Sequence, residues 1–467
     1  MYAVFNRANF SYVEYSVNGT IPYVNSPEVS EQLIAMATTR SPLHYMRLIR
    51  EYNDGMMRTS EDDCSRLLDD DALMRRIRER GFDFAIMDPA SAISCYYVVP
   101  LLLGIPYASL SIAFLASGLY RVPRLASYPN FASVDDPPSF GERVAAFLVE
   151  RMDSGLFTDN SPFVARYAAD RVAPDTVEML RRQSLWFFLE DVAVGYALPL
   201  MPNTVRVGDI MARQRDRARL PDEMEHFVAG SDSGVILAAF GSLCDHFPAV
   251  ATHRLCAAFA EASRRFGVSV IWKLSADGVC RRDGVLTSKW VPQNDLLADP
   301  RVKLFVGHGG HNSIVESVYH AKPMILIPLA LDQPLNAAAA EAKGFAVRLN
   351  FAQLSVDSLL ESIEQVLRDP SYSDRARLAS AILRDRSDTP AQRVSAAVDH
   401  VIKYGDGHLR TAAFDLSTLE FLMVDVFLVL FAAATFVVSV LIFCCCYLFR
   451  RCCRCHKQSD HEKLKSH

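Results

Sequence analysis

The stretch FVGHGGHNSIVE, from Phe305 to Glu316, carries polar side chains whose types and spacing could do chemistry. They are His308, His311, Asn312, Ser313 and Glu316, placed around a Gly-Gly pair. Three uses fit them: a metal site, catalysis, and the binding of an anionic ligand. A zinc pair would need both histidines on one helix face with a further ligand, and the HExxH pattern is absent, so metal is disfavoured.

The elements around this stretch favour the anionic ligand. VKLFVGH (302–308) predicts a strand, Gly309-Gly310 a tight turn, and the residues from Gly310 onward a helix. A helix N-terminus that follows such a turn offers unpaired N–H groups to a phosphate. His308, Asn312 and Glu316 are four residues apart and would share one face if the helix begins early, whereas His311 would not. Read alone, the stretch could also be a helix that begins with glycines and carries polar caps.

The second half of the chain alternates regularly between strand and helix patterns. Strands are predicted at 234–240, 268–274, 284–290, 302–308 and 323–329, with helices at 248–266, from about 310, and at 334–343. The first half predicts strands at 82–87 and 105–110 around a helix, which is a βαβ unit, and a helix over 175–192. The fold class is therefore α/β, with two doubly wound parallel-sheet domains and a cleft at their strand ends.

Composition limits what else the chain can be. Its 467 residues exceed one ordinary core, and the net charge of -5 argues against nucleic acid as a partner. Residues 426–449 contain no charge and can cross a lipid bilayer, and Arg450, Arg451 and Arg454 after them place the C-terminal side in the cytosol. Five cysteines scattered through the body suggest no disulfide framework. Six more, at 444–446, 452, 453 and 455, are incidental or palmitoylated.

A longer pattern carries a family resemblance. Trp290 and Gln293, then HGGHNSIVE (308–316), then Pro323, Pro328 and Asp332-Gln333 occur in this order within 44 residues. This resembles the donor signature of the family 1 UDP-glycosyltransferases, most closely the animal membrane-bound UDP-glucuronosyltransferases, enzymes of detoxification. Gly307 is a departure, because the family usually has Thr or Ser there. The resemblance implies a GT-B-like fold.

The resemblance also implies a role for each donor-site residue. Trp290 would stack on uracil, Gln293 would bond its edge, and Glu316 would accept from the ribose hydroxyls. His308, Ser313, Ser242 and the helix N-terminus at Gly310 would hold the diphosphate, with Asn312 in support. Asp332 and Gln333 would take the sugar hydroxyls. The UDP-sugar would be a co-substrate, and no cofactor or metal is expected.

On the acceptor side the family uses a histidine base that an aspartate orients. Asp88 matches that aspartate by its motif FDFAIMDP, although an Asx cap before Pro89 would explain it equally. The one earlier histidine, His44, has no strand before it and is not assigned as the base. We therefore expect either an incomplete form of an active enzyme or a catalytically impaired one.

The expected organisation has four parts: an acceptor domain at 1–210, a donor domain at 211–415, a transmembrane helix at 421–449, and a basic cytosolic tail at 450–467. Asn9 and Asn18 lie in glycosylation sequons, and the tail ends in a di-lysine pattern at Lys463 and Lys465, which together predict a glycoprotein of the endoplasmic reticulum membrane with a lumenal body. Against this orientation, a chain with no signal peptide and one span near its end would insert tail-first.

The predicted function is inverting, metal-independent transfer of glucuronate or glucose from a UDP-sugar to a hydroxyl of a small lipophilic acceptor. Besides the bilayer, the predicted partners are the donor, the acceptor, and relatives in a homo- or hetero-oligomer. Two rivals remain: a UDP-sugar-binding partner that modulates full-length relatives, and a membrane receptor for lipophilic ligands that binds no nucleotide.

Overall fold

The structure is a computed structural model of the full chain. It describes residues 26–39, 41–87, 94–111, 161–168, 182–196, 200–208, 210, 220–241, 248–274 and 280–465. The chain divides into two compact units, Met1–Arg410 and Thr411–His467.

The first sheet has four parallel strands in the order β1-β2-β3-β4. They are β1 (Ala85–Met87), β2 (Tyr107–Ser111), β3 (Leu185–Phe188) and β4 (Thr204–Arg206). The helices of this region are α1 (Pro27–Thr38), α2 (Pro42–Leu68), α3 (Asp71–Arg80), α4 (Val98–Leu103) and α5 (Ser161–Ala168), with a 3-10 turn at Ser94–Tyr97. The predicted βαβ unit is β1-α4-β2 and is confirmed.

The sequence prediction of a helix over 175–192 is wrong where the structure describes that segment. Leu185–Phe188 is strand β3, which pairs in parallel with β2 on one side and β4 on the other. All four of its side chains are buried. A central strand covered on both faces reads as a continuous apolar run, and Leu-Trp-Phe-Phe is such a run rather than one turn of an amphipathic helix.

The second sheet has six parallel strands in the order β10-β9-β8-β5-β6-β7. They are β5 (Val235–Ala239), β6 (Ser269–Lys273), β7 (Val285–Ser288), β8 (Val302–Gly307), β9 (Met324–Leu326) and β10 (Ala346–Arg348). The five strands predicted for this half are confirmed as β5 to β9. This is the strand order of a doubly wound fold. The order in which successive strands are added changes direction between β5 and β8, which is the topological switch point.

Helices cover both faces of the second sheet. They are α6 (Asp222–Ala229), α7 (Ala249–Phe266), α8 (Gln293–Ala298), α9 (His311–Tyr319), α10 (Gln333–Ala342), α11 (Val356–Arg368) and α12 (Pro370–Arg384), with a 3-10 turn at Phe351–Gln353. Two buried apolar clusters fill the space between these helices and the strands. The strand side chains of β5 are buried throughout, as a sheet covered on both faces requires.

Two segments connect the region of the first sheet with that of the second. Helix α13 (Pro390–Tyr404) follows α12 but packs on the first sheet, where Val401 joins a cluster with Leu185 and Phe187. In the other direction, Ala193 and Val194, which follow β3, are buried in a cluster of the second sheet. The predicted boundary at 210 stays a prediction, and the structure adds that α13 returns to the first sheet.

The structure pairs two of the scattered cysteines, a pairing that the sequence analysis left open. Cys256 on α7 and Cys280 before β7 form a disulfide, with their Cα atoms 5.6 Å apart. Cys64 is also disulfide-bonded. Cys256 and Cys280 are 24 residues apart in sequence, and the packing of α7 against β6 and β7 brings them together.

The second unit contains a 3-10 turn (Ala412–Phe414), α14 (Thr418–Phe421) and the long helix α15 (Val424–Lys465). Residues Val424–Arg450 of α15 form a segment long and apolar enough to cross a membrane. The span predicted from the sequence therefore coincides with a continuous helix. Cys444, Cys445 and Cys446 are free thiols on it.

Candidate donor site

The site lies at the topological switch point of the second sheet. Strands β5 and β8 are neighbours, and Ala239 and Gly307 are paired at their carboxyl ends. In an open parallel sheet, ligands bind outside the carboxyl ends of the strands at this point. The turn after β8 is His308-Gly309-Gly310, and the chain after β5 continues through Phe240 and Gly241.

Glycines let the turn after β8 pass close to its neighbours. Gly309 has φ +85°, a conformation that favours glycine. A Cβ at Gly310 would lie 2.5 Å from Nε2 of His308, so a side chain there would displace the imidazole. Gly310 is the N-cap of α9 and has no side chain to bond the first N–H groups of the helix. These N–H groups form a site for an anion at the end of the helix.

His308 is enclosed by backbone on two sides. Only 8% of the residue is exposed, and a Cβ at Gly241 would lie 2.9 Å from its Nε2 atom. Burial, with a smaller contribution from the nearby Lys273 charge, lowers the pKa of His308 to about 4, and a bond to the Ala239 backbone opposes this shift. The imidazole is therefore neutral at pH 7.

Lys273 adds a positive charge that the sequence analysis did not identify. It ends strand β6, beside β5, and its Nζ donates to the Gly241 carbonyl at 3.3 Å. A basic residue at the carboxyl end of an otherwise apolar strand was the signal in the sequence. Its place beside His308 makes the turn region favourable for a phosphate.

Gln293, Ser313 and Glu316 form a second group. The Gln293 amide Nε2 donates to Glu316 Oε2 at 2.5 Å and to Ser313 Oγ at 3.1 Å. Gln293 begins α8, and Ser313 and Glu316 are three apart on α9, so the contact ties the two helices together. Burial raises the pKa of Glu316, and the Gln293 bond opposes this shift.

Trp290 and Asn312 are the exposed members of the predicted site. Trp290 is 65% exposed, an unusual environment for a side chain of its size. The Ser288 hydroxyl donates to the Trp290 carbonyl at 2.7 Å and holds the backbone after β7. Asn312 is on the first turn of α9. Both side chains are open to a ligand.

Asp332 is the N-cap of α10, at the end of the turn after β9, and Gln333 is the first residue of that helix. Asn336 Nδ2 donates to Asp332 Oδ2 at 2.7 Å and to the Gly309 carbonyl at 3.1 Å, so it links this carboxylate to the glycine turn. Burial raises the pKa of Asp332, and the Asn336 bond opposes this shift. Gln333 is buried, and its Oε1 accepts from the backbone N–H of Leu329 at 2.9 Å.

The sequence analysis did not identify Asn336, and one of the two polar groups of the Gln333 side chain is already bonded within the protein. Asn336 is one helical turn after Asp332, a spacing that brings two side chains together on a helix. The oxygen of Gln333 is bonded to backbone. Only its amide NH₂ group could therefore reach a ligand.

The second histidine of the opening stretch has a structural partner. Nε2 of His311 is 3.2 Å from the carbonyl oxygen of Leu189, which follows β3 of the first sheet. Burial lowers the pKa of His311, and the Leu189 bond opposes this shift. His308 and His311 thus contact different parts of the molecule.

Gly307 has a steric explanation. A Cβ there would lie 2.5 Å from the Phe305 ring and 2.9 Å from the Ala239 carbonyl oxygen. Phe305 is fully buried two residues earlier on the same strand. Its ring takes the space beside position 307, which fits the absence of a side chain there.

Asp88 and Ser242 lie outside the described residues, as do Asn9 and Asn18. His44 is described: it lies on the first turn of α2, is exposed, and its backbone N–H donates to Ser41 Oγ at 3.3 Å. Of the ten predicted donor-site residues, the structure therefore places nine, all in the turns or helix ends after β7, β8 and β9.

Comparisons with known proteins show the family of the chain. The family model described as "UDP-glucoronosyl and UDP-glucosyl transferase" matches residues 5–459. A UDP-glucuronosyltransferase from Pleuronectes platessa is 31% identical over 407 residues, 84% of each chain. UDP-glucuronosyltransferase 3A1 from Bos taurus is 32% identical over 79% of this chain and 71% of its own.

Solved structures support the fold. The glycosyltransferase VinC, solved in complex with DTDP, is 15% identical and superposes with a TM-score of 0.54, over 85% of this chain and 88% of its own. The glycotransferase of kitacinnamycin gives a TM-score of 0.52 at 18% identity, over 74% of this chain and 81% of its own. The predicted GT-B-like α/β fold is confirmed.

Proposed function

The chain belongs to the UDP-glucoronosyl and UDP-glucosyl transferase family, and on this premise we propose that it binds a UDP-sugar and transfers the sugar to a hydroxyl of a small lipophilic acceptor. The observation that carries the proposal is the gathering of the donor-signature side chains at the N-terminus of α9. The donor would be UDP-glucuronate or UDP-glucose.

The nucleoside would bind on the side of α8. Trp290 exposes a flat ring, which suits stacking on uracil. Gln293 and Glu316 already share a hydrogen bond, so a ribose hydroxyl that bonds Glu316 would meet a carboxylate held in place. Ser313 and Asn312 on the same helix complete this side.

The diphosphate would bind at the turn after β8. The N–H groups of α9 supply hydrogen-bond donors and the partial positive charge of a helix N-terminus. His308 supplies a neutral imidazole, and Lys273 supplies a full positive charge beside it. The same groups would stabilise the UDP leaving group as negative charge develops on it, and no metal is needed for that task.

The sugar would lie next to Asp332 and the amide NH₂ of Gln333. Asn336 Nδ2 donates a 2.7 Å hydrogen bond to the Asp332 carboxylate, so the carboxylate is oriented before a sugar hydroxyl arrives. Inversion at the anomeric carbon would follow from attack by the acceptor oxygen opposite the diphosphate. Asp88 is proposed as the group that orients the base.

A second candidate function is that of a UDP-sugar-binding partner of full-length relatives. One observation favours it: His44, on the first turn of α2, is exposed and has no carboxylate partner among the described residues, so it is not held as a general base would be. Positioned general bases typically contribute about 100- to 10,000-fold to a rate. A chain without one would bind donor and turn it over slowly.

The proposed location is the membrane of the endoplasmic reticulum, with a lumenal body and a cytosolic tail. The apolar segment of α15 and the arginines after it support this orientation. The disulfide between Cys256 and Cys280 supports an oxidising compartment for the body.

One pair of measurements separates the candidates. UDP binding by calorimetry is compared with turnover of UDP-glucuronate and UDP-glucose in the presence of a phenolic acceptor, using the full chain in detergent. Binding with turnover supports the transferase, and binding alone supports the partner. A chain that neither binds UDP nor turns over either donor contradicts both, and leaves the receptor for lipophilic ligands.

A further inference from the structure

Three consecutive cysteines lie near the end of the apolar segment of α15. They form the cysteine triplet, which consists of Cys444, Cys445 and Cys446. All three are exposed, free thiols. The tail cysteines follow on the same helix, and they are Cys452, Cys453 and Cys455. Six of the eleven cysteines of the chain thus fall within residues 444–455, and the proposed sugar transfer uses none of them.

Helix geometry keeps the members of the cysteine triplet from acting on one another. Successive residues of an α-helix project about 100° apart, so the three thiols point in different directions. They cannot converge on one metal ion, which needs ligands arranged around a common centre. Their Cβ atoms also diverge too far for a disulfide within the triplet. A reactant for these thiols must therefore come from outside the helix.

The cysteine triplet lies close to one end of the membrane-spanning segment. The charge-free run at 426–449 extends for about 36 Å at about 1.5 Å per residue, whereas the hydrocarbon core of a bilayer is about 30 Å thick. Arg450 follows the run, is exposed, and belongs among the lipid headgroups. Cys446 is four residues before Arg450, or about 6 Å along the helix axis. The triplet is therefore within two helical turns of the headgroups, on the side of the proposed cytosolic tail.

Free thiols at this boundary are the chemical groups that accept long-chain acyl chains. In the reaction, the cysteine Sγ attacks the carbonyl carbon of an acyl-CoA as a thiolate and forms a thioester bond. The bond between that carbon and the sulfur of CoA breaks, and the cysteine proton ends on the released CoA thiol. No oxidant or reductant takes part. The positive charges of Arg450, Arg451 and Arg454 attract the phosphates of CoA to this end of the helix.

We propose that the cysteine triplet is a site of S-acylation, which takes a long-chain fatty acyl group from acyl-CoA at the cytosolic face of the membrane. This inference goes beyond the sugar transfer and rests on the proposed orientation of α15. The attached chain returns into the same leaflet beside the helix. It adds apolar surface where α15 leaves the hydrocarbon, and so anchors this end of the helix at a fixed depth.

Metabolic labelling with an alkyne analogue of palmitate tests the proposal in cells that express the full chain. The wild type should carry the label, and neutral hydroxylamine, which cleaves thioesters, should remove it. The triplet variant, Cys444→Ser with Cys445→Ser and Cys446→Ser, should lose the label. A wild type without label, a label that resists hydroxylamine, or a triplet variant that keeps its label overturns the proposal.

The tail cysteines supply the matched control. The control variant, Cys452→Ser with Cys453→Ser and Cys455→Ser, removes the same number of thiols on the other side of Arg450. It should keep the label, because the triplet is intact. Loss of the label in the control variant as well overturns the assignment to the triplet.

A gel-shift measurement separates acylation from disulfide formation. Free thiols are blocked with N-ethylmaleimide, and the thiols that hydroxylamine releases are tagged with a polyethylene glycol maleimide. The wild type should show shifted bands that the triplet variant lacks. Bands that instead require dithiothreitol and vanish in the triplet variant reveal disulfides and overturn the proposal. UDP affinity should be equal in the wild type and the triplet variant, and a wild type that binds no UDP overturns the proposed function without affecting this inference.

Discussion

At the scale of residues, the proposed donor site contains polar side chains that bond one another before any ligand arrives. Gln293 bonds Glu316 and Ser313, and Asn336 bonds Asp332 and the Gly309 carbonyl. Such preorganisation lowers the entropy that ligand binding would otherwise cost. It also means that a substitution at one member disturbs its partner.

Glu316→Ala and Trp290→Ala should each lower UDP affinity without unfolding the protein. Each removes a contact worth about 1 to 3 kcal/mol, a carboxylate for the ribose or a ring for the base, which corresponds to roughly 5- to 150-fold in Kd. Calorimetry with UDP measures the loss. Glu361→Ala, at an exposed position of α11, is the control. Normal UDP affinity in either variant, with a normal thermal melt, contradicts the assignment of the site.

His308 should make stability depend on pH. Its pKa is about 4 in the folded chain and about 6.5 when unfolded, so the unfolded chain binds more protons between these values. Above about pH 6.5 the imidazole is neutral in both states, and His308 does not lower the free energy of unfolding. As pH falls toward 4, protonation of the unfolded chain lowers that free energy. His308→Gln removes the titration.

Thermal melts at pH 7.5, 5.5 and 4.5 test this dependence. On acidification, the melting temperature of the wild type should fall further than that of His308→Gln. His311 and His320 have pKa values lowered in the same direction, and they act equally in both proteins. Parallel profiles would show that His308 is not buried as a neutral group.

At the scale of elements, local pattern predicted much of the second sheet and little of the first. Strands β5 to β9 are short apolar runs bounded by glycine, proline or charged residues, and their alternation with helices follows from the sequence. Strand β3 was predicted as helix because the charged residues before it gave a helical period. Its burial depends on β2 and β4, partners that its own sequence does not reveal.

The donor site shows the same division. Residues that sit directly after a strand or on the first turn of a helix, such as His308 and Ser313, could be placed from spacing alone. Lys273 and Asn336 carry only a weak local signal, because the contacts that make them important, to the Gly241 and Gly309 carbonyls, come from other elements. Contacts between distant elements are tertiary and leave no local pattern.

The segment after β3 is the element that joins the two sheets. Asp191 has no exposed surface, and its carboxylate accepts from the Ala193 N–H at 2.9 Å and from the Arg386 guanidinium. Arg386→Met leaves this carboxylate buried without its cation. We expect a loss on the order of 3 kcal/mol in unfolding free energy, measured by urea titration.

The exposed pair Arg377 and Asp374 supplies the control for that substitution. Arg377→Met should cost at most about 1 kcal/mol, because water screens the pair. Equal costs for Arg386→Met and Arg377→Met would mean that the segment after β3 is not fixed by its ion pair.

At the scale of the whole molecule, the chain crosses between its two sheets more often than a simple two-domain division predicts. Helices α1 and α2 cover a turn of the second sheet, and α13 returns to the first. An N-terminal segment thus packs on the second sheet, and a C-terminal segment packs on the first. The apolar segment of α15 was the easiest part to predict, because its signal is composition and length alone.

The orientation in the membrane gives the last prediction. In intact microsomes, protease added outside should leave the body undigested, and the peptide containing Cys280 should react with maleimide only after reduction, because an oxidising lumen maintains its bond to Cys256. Cys256→Ser is the matched variant: it should expose the Cys280 thiol without reduction and lower unfolding free energy by roughly 3 kcal/mol, the cost of releasing a loop of this length. A body digested in intact microsomes, with Cys280 labelled before reduction in the wild type, would place it in the cytosol.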